Sequence, residues 1–234
     1  MSDRREHFPA TERTWLHDAI ADGRRGEVSH FVMKVYAEPL AIYCAATSFR
    51  SLGDPKDLVA GFFASRLDDP AWIESWAETN ESQGIRLSRW LMNGLNFFLH
   101  EEARRRQRDG RVSTDAAAAL STAPDAAMRA EQAFDRSLAL AIVREAIERA
   151  SAACAAAGQS AHFEIFMQHH GHGRPYDSFA ASHGVDPVQC AGMARTAAAK
   201  FRKALAEVIA REYAGRHLPE LDETLAELAG RLGA

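Results

Sequence analysis

Arginines, aromatics and amides recur between positions 86 and 111 with the spacing of a single helix. Aromatic rings can stack on unpaired bases, amides can bind a base edge, and guanidinium groups hold phosphates. This combination is typical of a surface that binds single-stranded nucleic acid. The residues are Arg86, Arg89, Trp90, Asn93, Asn96 and Phe97, followed by Arg104, Arg105, Arg106, Arg108 and Arg111.

The same segment also has a purely structural explanation. Trp90 and Phe98 lie among leucines, a pattern that is equally typical of the buried side of a helix. The arginine run stands at the predicted end of that helix, where the helix dipole favours cations without any ligand. The residue pattern alone therefore leaves a nucleic-acid surface and an ordinary helix end as alternatives.

A second candidate site lies between Tyr176 and Arg211. A helix-turn-helix needs a small residue where its helices cross, a glycine with positive φ in the turn, and an apolar anchor after it. Ala180, Gly184 and Val185 supply these in order. An ordinary helical hairpin has the same pattern and is the alternative. The candidate DNA contacts on the following helix are Gln189, Arg195, Lys200 and Arg202.

Histidines and carboxylates offer further candidates, which we expect to be structural. Three or four imidazoles can hold a metal ion, but the spacing of a metalloprotease motif is missing. We therefore expect no metal and no cofactor, and a helical metal hydrolase is kept as a third hypothesis. Glu101 and Glu102 could be a pair of catalytic carboxylates. Because arginines flank them, we expect them to form ion pairs instead. The histidines are His162, His169, His170, His172 and His183.

Composition excludes several classes of protein. The 234 residues are 47% hydrophobic and 26% charged, as in folded domains, and the net charge of −4 confines nucleic-acid contacts to local basic patches. Cys44, Cys154 and Cys190 have no metal-binding spacing and predict no disulfide framework. No signal peptide and no run of about 18 apolar residues is apparent, so we expect a cytoplasmic protein without a membrane partner.

Good helix formers dominate the chain, and no alternating strand pattern is evident, so the sequence predicts an all-α fold. Asp54 followed by Pro55 predicts a helix start, with Asp54 as N-cap. A helix predicted from Val28 to Ser48 contains Pro39, which should kink or break it.

The chain is predicted to form two helical domains joined by a linker. Residues 109–130 are mostly Ala, Ser, Thr and Asp, with few large side chains, which predicts a linker that is at most partly helical. The domains on either side are placed at residues 8–108 and 131–234.

Together these segments resemble the two working domains of an extracytoplasmic-function sigma factor of the sigma-70 family. The run from Asp54 to Phe63 is similar to the family's Asp-x-x-Asp-Leu-x-x-x-Phe-Phe helix, and the run from Arg86 to Glu102 is similar to its following helix. Phe163 to Arg202 resembles its helix-turn-helix domain. Phe8-Pro9-Ala10-Thr11 resembles the opening of one subgroup.

The resemblance implies a sigma2-like helical bundle, a sigma4-like helix-turn-helix and no enzymatic activity. It also implies three partners: the core enzyme of RNA polymerase, promoter DNA and, where regulated, an anti-sigma factor. By similarity, Asp54, Asp57, Leu58, Phe62 and Phe63 dock on the polymerase. The residues that hold the melted −10 element would be Arg86, Arg89, Trp90, Asn93, Asn96, Phe97, Arg104 and Arg105, and those at the −35 element Gln189, Arg195, Lys200 and Arg202.

One departure from the family pattern supports a second hypothesis. The family's second helix is usually rich in arginine, whereas this chain has Ala191, Thr196, Ala198 and Ala199 at matching positions. Fewer phosphate contacts weaken DNA binding steeply, so −35 binding is expected to be weak or assisted. The alternative is therefore a degenerate sigma-like regulator that binds polymerase or a partner without recognising promoters by itself.

Overall fold

A computed structural model gives the conformation of most of the chain. The described residues are 15, 18–19, 22–67, 69–83, 85–109, 124–179 and 184–211. Within these ranges the regular structure is helical and no strand occurs, which confirms the predicted all-α class. The Phe-Pro-x-Thr motif, most of the predicted linker, Ala180, His183 and residues 212–234 lie outside the described residues.

The helices are numbered here in chain order. A short 3-10 helix, Ser48–Leu52, follows the first of them, and a π-helical turn, Met167–Gly171, follows the sixth. The α-helices are α1 (Arg25–Ala46), α2 (Pro55–Arg66), α3 (Pro70–Gln83), α4 (Leu87–Arg108), α5 (Pro124–Ala156), α6 (Ser160–Phe166) and α7 (Pro187–Ala210).

Contacts divide the chain into two compact units. The first comprises Met1–Ala141 and Ala210–Ala234, and the second comprises Ile142–Ile209. The division therefore falls inside α5, later in the chain than the predicted domain start at 131. Residues 124–130, at the end of the predicted linker, belong to this helix.

The sequence predicted a kink or a break at Pro39, and helix α1 continues through this residue without a break. A proline inside a helix removes one backbone hydrogen bond and crowds the preceding turn. The residues around it are almost completely buried: Val35 and Tyr36 are 1% exposed and Leu40 is 0% exposed. The apolar area that these side chains bury offsets the lost hydrogen bond, so tertiary packing overrides the local preference.

Helix α2 begins as its sequence predicts. Asp54 is the N-cap, and its carboxylate accepts a hydrogen bond from the backbone N–H of Lys56 at 2.7 Å. Pro55 occupies the first helical position, where no N–H is needed. The helix then buries Leu58, Val59, Phe62 and Phe63.

Helix α4 packs against α2 and α3 around Gly94. A Cβ atom at Gly94 would lie 3.3 Å from ring atoms of both Phe62 and Trp72, so the two rings approach the helix backbone closely. Phe62 and Trp72 meet edge to face, with ring centroids 5.5 Å apart. Trp72 also packs on Trp90, with centroids 4.1 Å apart. Three helices thus share one aromatic cluster.

Two glycines shape the second unit. Gly158, with φ +67°, follows α5, and a left-handed glycine is a common way for a helix to end. Gly184 has φ +64°, which confirms the left-handed glycine predicted ahead of the last long helix. One buried apolar cluster of this unit consists of Cys154, Ile165, Phe166, Phe179, Cys190, Ala194 and Ala197.

All three cysteines are buried free thiols. Burial raises the pKa of the Cys44 thiol to about 11. A thiol with this pKa stays protonated at neutral pH and is a poor nucleophile.

We expect Gly94→Leu to destabilise the first unit, because its side chain would occupy the space of Phe62 and Trp72. The free energy of unfolding, measured by urea denaturation, should fall by about 1–3 kcal/mol. Gly26→Leu is the matched control, since a Cβ at Gly26 in α1 meets no atom within 4 Å. Equal unfolding midpoints for the two variants would contradict the packing described for α4.

Candidate nucleic-acid interface

The exposed side of α4 carries the residue types that bind single strands. Arg89, Asn93, Phe97 and Arg104 are all exposed, and their spacing places them on one face of the helix. The Phe97 side chain is 57% exposed, although large aromatic side chains are normally buried. A flat apolar ring between polar and cationic groups is suited to stacking with an unpaired base.

Phe97 has a cationic neighbour that the sequence did not indicate. The guanidinium carbon of Arg66, at the end of α2, lies 5.9 Å from the centre of the Phe97 ring. Arg66 is also 3.4 Å from the carboxylate of Glu101, which lies one turn beyond Phe97. The ion pair and the ring contact together keep a positive charge beside the exposed ring.

Two of the predicted strand-binding residues contribute to packing. Trp90 is half-buried against Trp72, so it is less open to a base than Phe97. Asn96 is half-buried, and its amide nitrogen donates to the hydroxyl oxygen of Tyr43 at 2.9 Å. The amide predicted to bind a base edge is therefore engaged inside the first unit.

Acidic residues pair with two of the predicted arginines. Arg89 lies 2.8 Å from the carboxylate of Glu131 in α5. Arg105 lies 2.7 Å from Glu102, as expected for an ion-pair role of that carboxylate. Arg104 is exposed one residue earlier, and Arg86 is half-buried at the N-cap of α4. In this part of the described chain, the arginines of α4 thus differ in how readily they can reach a phosphate.

Through Arg106, Glu102 links the end of α4 to the 3-10 helix Ser48–Leu52. The carboxylate is buried and also accepts a hydrogen bond from Arg106 at 2.6 Å. Arg106 in turn donates to the backbone oxygen of Leu52. Hydrogen bonds from Arg105 and then Arg106 lower the pKa of Glu102, against the opposing effect of its burial.

The predicted polymerase-docking residues separate into a buried and an exposed group. Leu58, Phe62 and Phe63 are 6%, 0% and 4% exposed, so these side chains hold α2 in the core. Asp57 is exposed in the first turn of α2, and Asp54 is the exposed N-cap. A partner would meet the acidic start of α2 rather than Leu58 and Phe62, while Phe63 also lines the groove described next.

An apolar groove of about 930 Å³ lies beside this acidic start, between α1 and α2. Met33 and Ile42 of α1 line it and are 42% and 37% exposed. Glu38, Asp54 and Lys56 are its charged lining residues. The groove therefore offers exposed aliphatic side chains next to carboxylates, an arrangement suited to an amphipathic helix with basic residues on its rim.

In the second unit, capping and packing involve two of the four predicted −35 residues. The backbone N–H of Gln189 donates to the Asp186 carboxylate at 2.8 Å, and the Gln189 side-chain oxygen accepts from the Asp186 N–H at 3.1 Å. This reciprocal pair is a capping box at the start of α7. Lys200 donates to the backbone oxygen of Ala153 at 2.8 Å. Arg195 and Arg202 are exposed.

The histidine segment packs internally. His169 stacks on Tyr176, with ring centroids 3.9 Å apart, and its Nδ1 lies 2.8 Å from the backbone oxygen of Arg174. The Phe166 ring packs against the His170 ring, with centroids 5.2 Å apart. Among the described residues, no group of three or more His, Cys, Asp or Glu side chains is placed to hold a metal ion.

The residues that sequence reasoning missed are Arg66, Glu131 and the groove residues Met33 and Ile42. Met33 and Ala37 are four apart on α1, so a second apolar stripe on that helix could have indicated the groove. Arg66 lies in α2 and Glu131 in α5, whereas their partners Phe97 and Arg89 lie in α4. These contacts depend on tertiary packing.

Comparison with protein-family models, curated proteins and solved structures yields no match to this chain. A search of the described helices finds none whose length and hydropathy would allow it to cross a membrane.

We expect Glu102→Gln to reduce stability in a pH-dependent way. Because the folded-state pKa of Glu102 lies below its ordinary value of 4.5, the carboxylate stabilises the fold above that pH and loses this effect as pH falls through the folded-state pKa. At neutral pH the variant should lose about 1–3 kcal/mol of unfolding free energy, with the deficit narrowing below about pH 4.5.

Urea denaturation at several pH values provides the measurement, with Glu164→Gln as an exposed control. A deficit of constant size from neutral to acidic pH would show that the Glu102 carboxylate is not the source of the effect.

Proposed function

We propose that this chain is a sigma factor of the extracytoplasmic-function type, which directs core RNA polymerase to promoters. The observation that carries the proposal is the exposed face of α4, where Phe97 lies between Asn93 and Arg104. A folded unit that exposes a phenyl ring in a polar and cationic setting gains little stability from that ring, so a binding role accounts for it better.

In this proposal, promoter melting is driven by binding energy and no bond is made or broken by the chain. A base of the separated −10 strand stacks on Phe97, while Arg66 and Arg104 hold adjacent phosphates. Stacking contributes about 1–3 kcal/mol per base, which is comparable to the cost of unpairing one base. In this proposal Trp90 and Asn96 do not contact the strand. They support α4 instead, because Trp90 packs on Trp72 and Asn96 is hydrogen-bonded to Tyr43.

Docking on the polymerase is assigned to the groove between α1 and α2. Its exposed aliphatic residues and the acidic start of α2 match the two features that helix-in-groove recognition needs: an apolar surface and a charged rim. In this proposal, Leu58 and Phe62 act indirectly by holding α2 in place, whereas Phe63 lines the groove itself.

The degenerate regulator is the second candidate, and α7 favours it. Lys200 binds Ala153, and the exposed Gln189 belongs to a capping box. Of the four predicted −35 residues, Arg195 and Arg202 are therefore the exposed cations. Val188, at the start of α7, is 77% exposed. Such a helix has few phosphate ligands, and a regulator would need polymerase or another protein to bring it to DNA.

Met33→Asp should weaken binding to core RNA polymerase about tenfold or more, because a carboxylate would enter the apolar groove. Met33 is 42% exposed, so the substitution should leave the fold intact. The measurement is capture of purified bacterial core enzyme by the immobilised protein.

Met128→Asp is the matched control, since Met128 is 55% exposed on α5 and is not among the groove residues. Equal capture by the two variants, both melting like the wild type, would contradict docking through this groove.

Phe97→Ala should weaken binding of a fluorescein-labelled single-stranded oligonucleotide by about 1–3 kcal/mol, the contribution of one stacked base. Phe97→Trp should keep the affinity, because an indole offers a larger stacking surface. Leu140→Ala removes a comparably exposed apolar side chain from α5 and should have no effect. Fluorescence anisotropy measures the affinities, and an unchanged value for Phe97→Ala would exclude stacking on this ring.

A further inference from the structure

The start of α5 is anchored to the first unit by a buried apolar stripe. Ala130 and Phe134 are 0% exposed and Leu138 is 1% exposed. The Phe134 ring meets Tyr43 of α1 edge to face, with centroids 6.4 Å apart. This stretch of α5 is therefore held firmly beside α1 and α4.

Tyr43 connects this anchor to the proposed strand-binding helix. Its ring contacts Phe134, and its hydroxyl shares hydrogen bonds of 2.9 Å and 3.2 Å with the amide of Asn96. Tyr43 is 6% exposed, so the link is internal. The position of α5 is thereby coupled to the side of α4 that carries Asn96.

Glu131 follows directly after the buried Ala130, so the anchor holds the backbone from which its side chain extends. That carboxylate lies 2.8 Å from the guanidinium of Arg89, in the first turn of α4. The side chains are 45% and 51% exposed, so a ligand from solution can reach both of them.

We infer that Glu131 is an internal competitor of the DNA backbone for Arg89. The inference rests on the proposed function, because it concerns access to the same strand-binding face. A guanidinium binds carboxylates and phosphates through the same planar set of N–H donors. A phosphate that takes the position of the Glu131 carboxylate must displace it, and the displaced charge then repels the strand.

The energetic effect is modest, because half-exposed ion pairs are weak. Replacing Glu131 with the isosteric, neutral glutamine should release Arg89 and tighten single-strand binding about two- to fivefold. Exchanging the Glu131 carboxylate for a phosphate at Arg89 gains little binding free energy. A strand therefore binds tightly only when other contacts, such as stacking on Phe97, supply the affinity.

The test is a double-mutant cycle measured by fluorescence anisotropy with a labelled single-stranded oligonucleotide of mixed sequence. The proteins are the full-length wild type, Glu131→Gln, Arg89→Ala and the double variant. Glu164→Gln, an exposed site on α6, controls for the change in net charge. Thermal unfolding establishes that each variant is folded.

The expected result is tighter binding by Glu131→Gln, no gain from the same change in the Arg89→Ala background, and no gain from Glu164→Gln. Equal gains in both backgrounds would mean that Glu131 acts through general repulsion, and no gain in the wild-type background would mean that it does not compete. Either result overturns the inference while leaving the proposed strand binding intact. If the wild type and every variant fail to bind the strand, the proposed function and the inference fall together.

Discussion

The contact of Phe62 and Trp72 with the backbone of α4 at Gly94 is the interaction on which the first unit depends. Because Gly94 has no side chain, two large rings reach the helix surface, and α2, α3 and α4 bury their apolar sides against one another. This packing fixes the rotation of α4 about its axis. Once Leu91, Leu95 and Leu99 face the core, Asn93, Phe97 and Arg104 must face outward. The proposed strand-binding face is thus a consequence of how the core is filled.

Electrostatics then determines how available that face is. The chain carries a net charge of −4, so its arginines lie among many carboxylates. Glu101 lies close to Arg66, Glu102 to Arg105 and Glu131 to Arg89. Each such pair lowers the attraction of the surface for nucleic acid in general, because a phosphate must compete with a fixed carboxylate. Stacking on Phe97 does not require a phosphate to displace a carboxylate, which would favour separated strands over duplex DNA in this proposal.

The sequence predicted local features well, because they depend on neighbouring residues. The start of α2 at Asp54 and Pro55, the left-handed Gly184 and the all-helical fold follow from capping, turn chemistry and helix propensity. Of the kink or break predicted at Pro39, the break does not occur, since burial of the flanking side chains outweighs one lost hydrogen bond. Partners across helices were not predictable: Arg66 beside Phe97, Glu131 beside Arg89 and Tyr43 beside Asn96 depend on how helices distant in sequence pack. The polymerase, promoter and anti-sigma partners stay predictions.

Transcription in vitro determines whether this chain directs RNA polymerase to promoters. The purified chain is added to bacterial core RNA polymerase with a library of DNA fragments from its source genome, and the initiated transcripts are sequenced. The proposal predicts transcripts that start at a defined set of sites and that disappear when the chain is omitted. Core enzyme that binds the chain but yields no chain-dependent transcript from any fragment would contradict a promoter-recognising sigma factor and would favour the regulator instead.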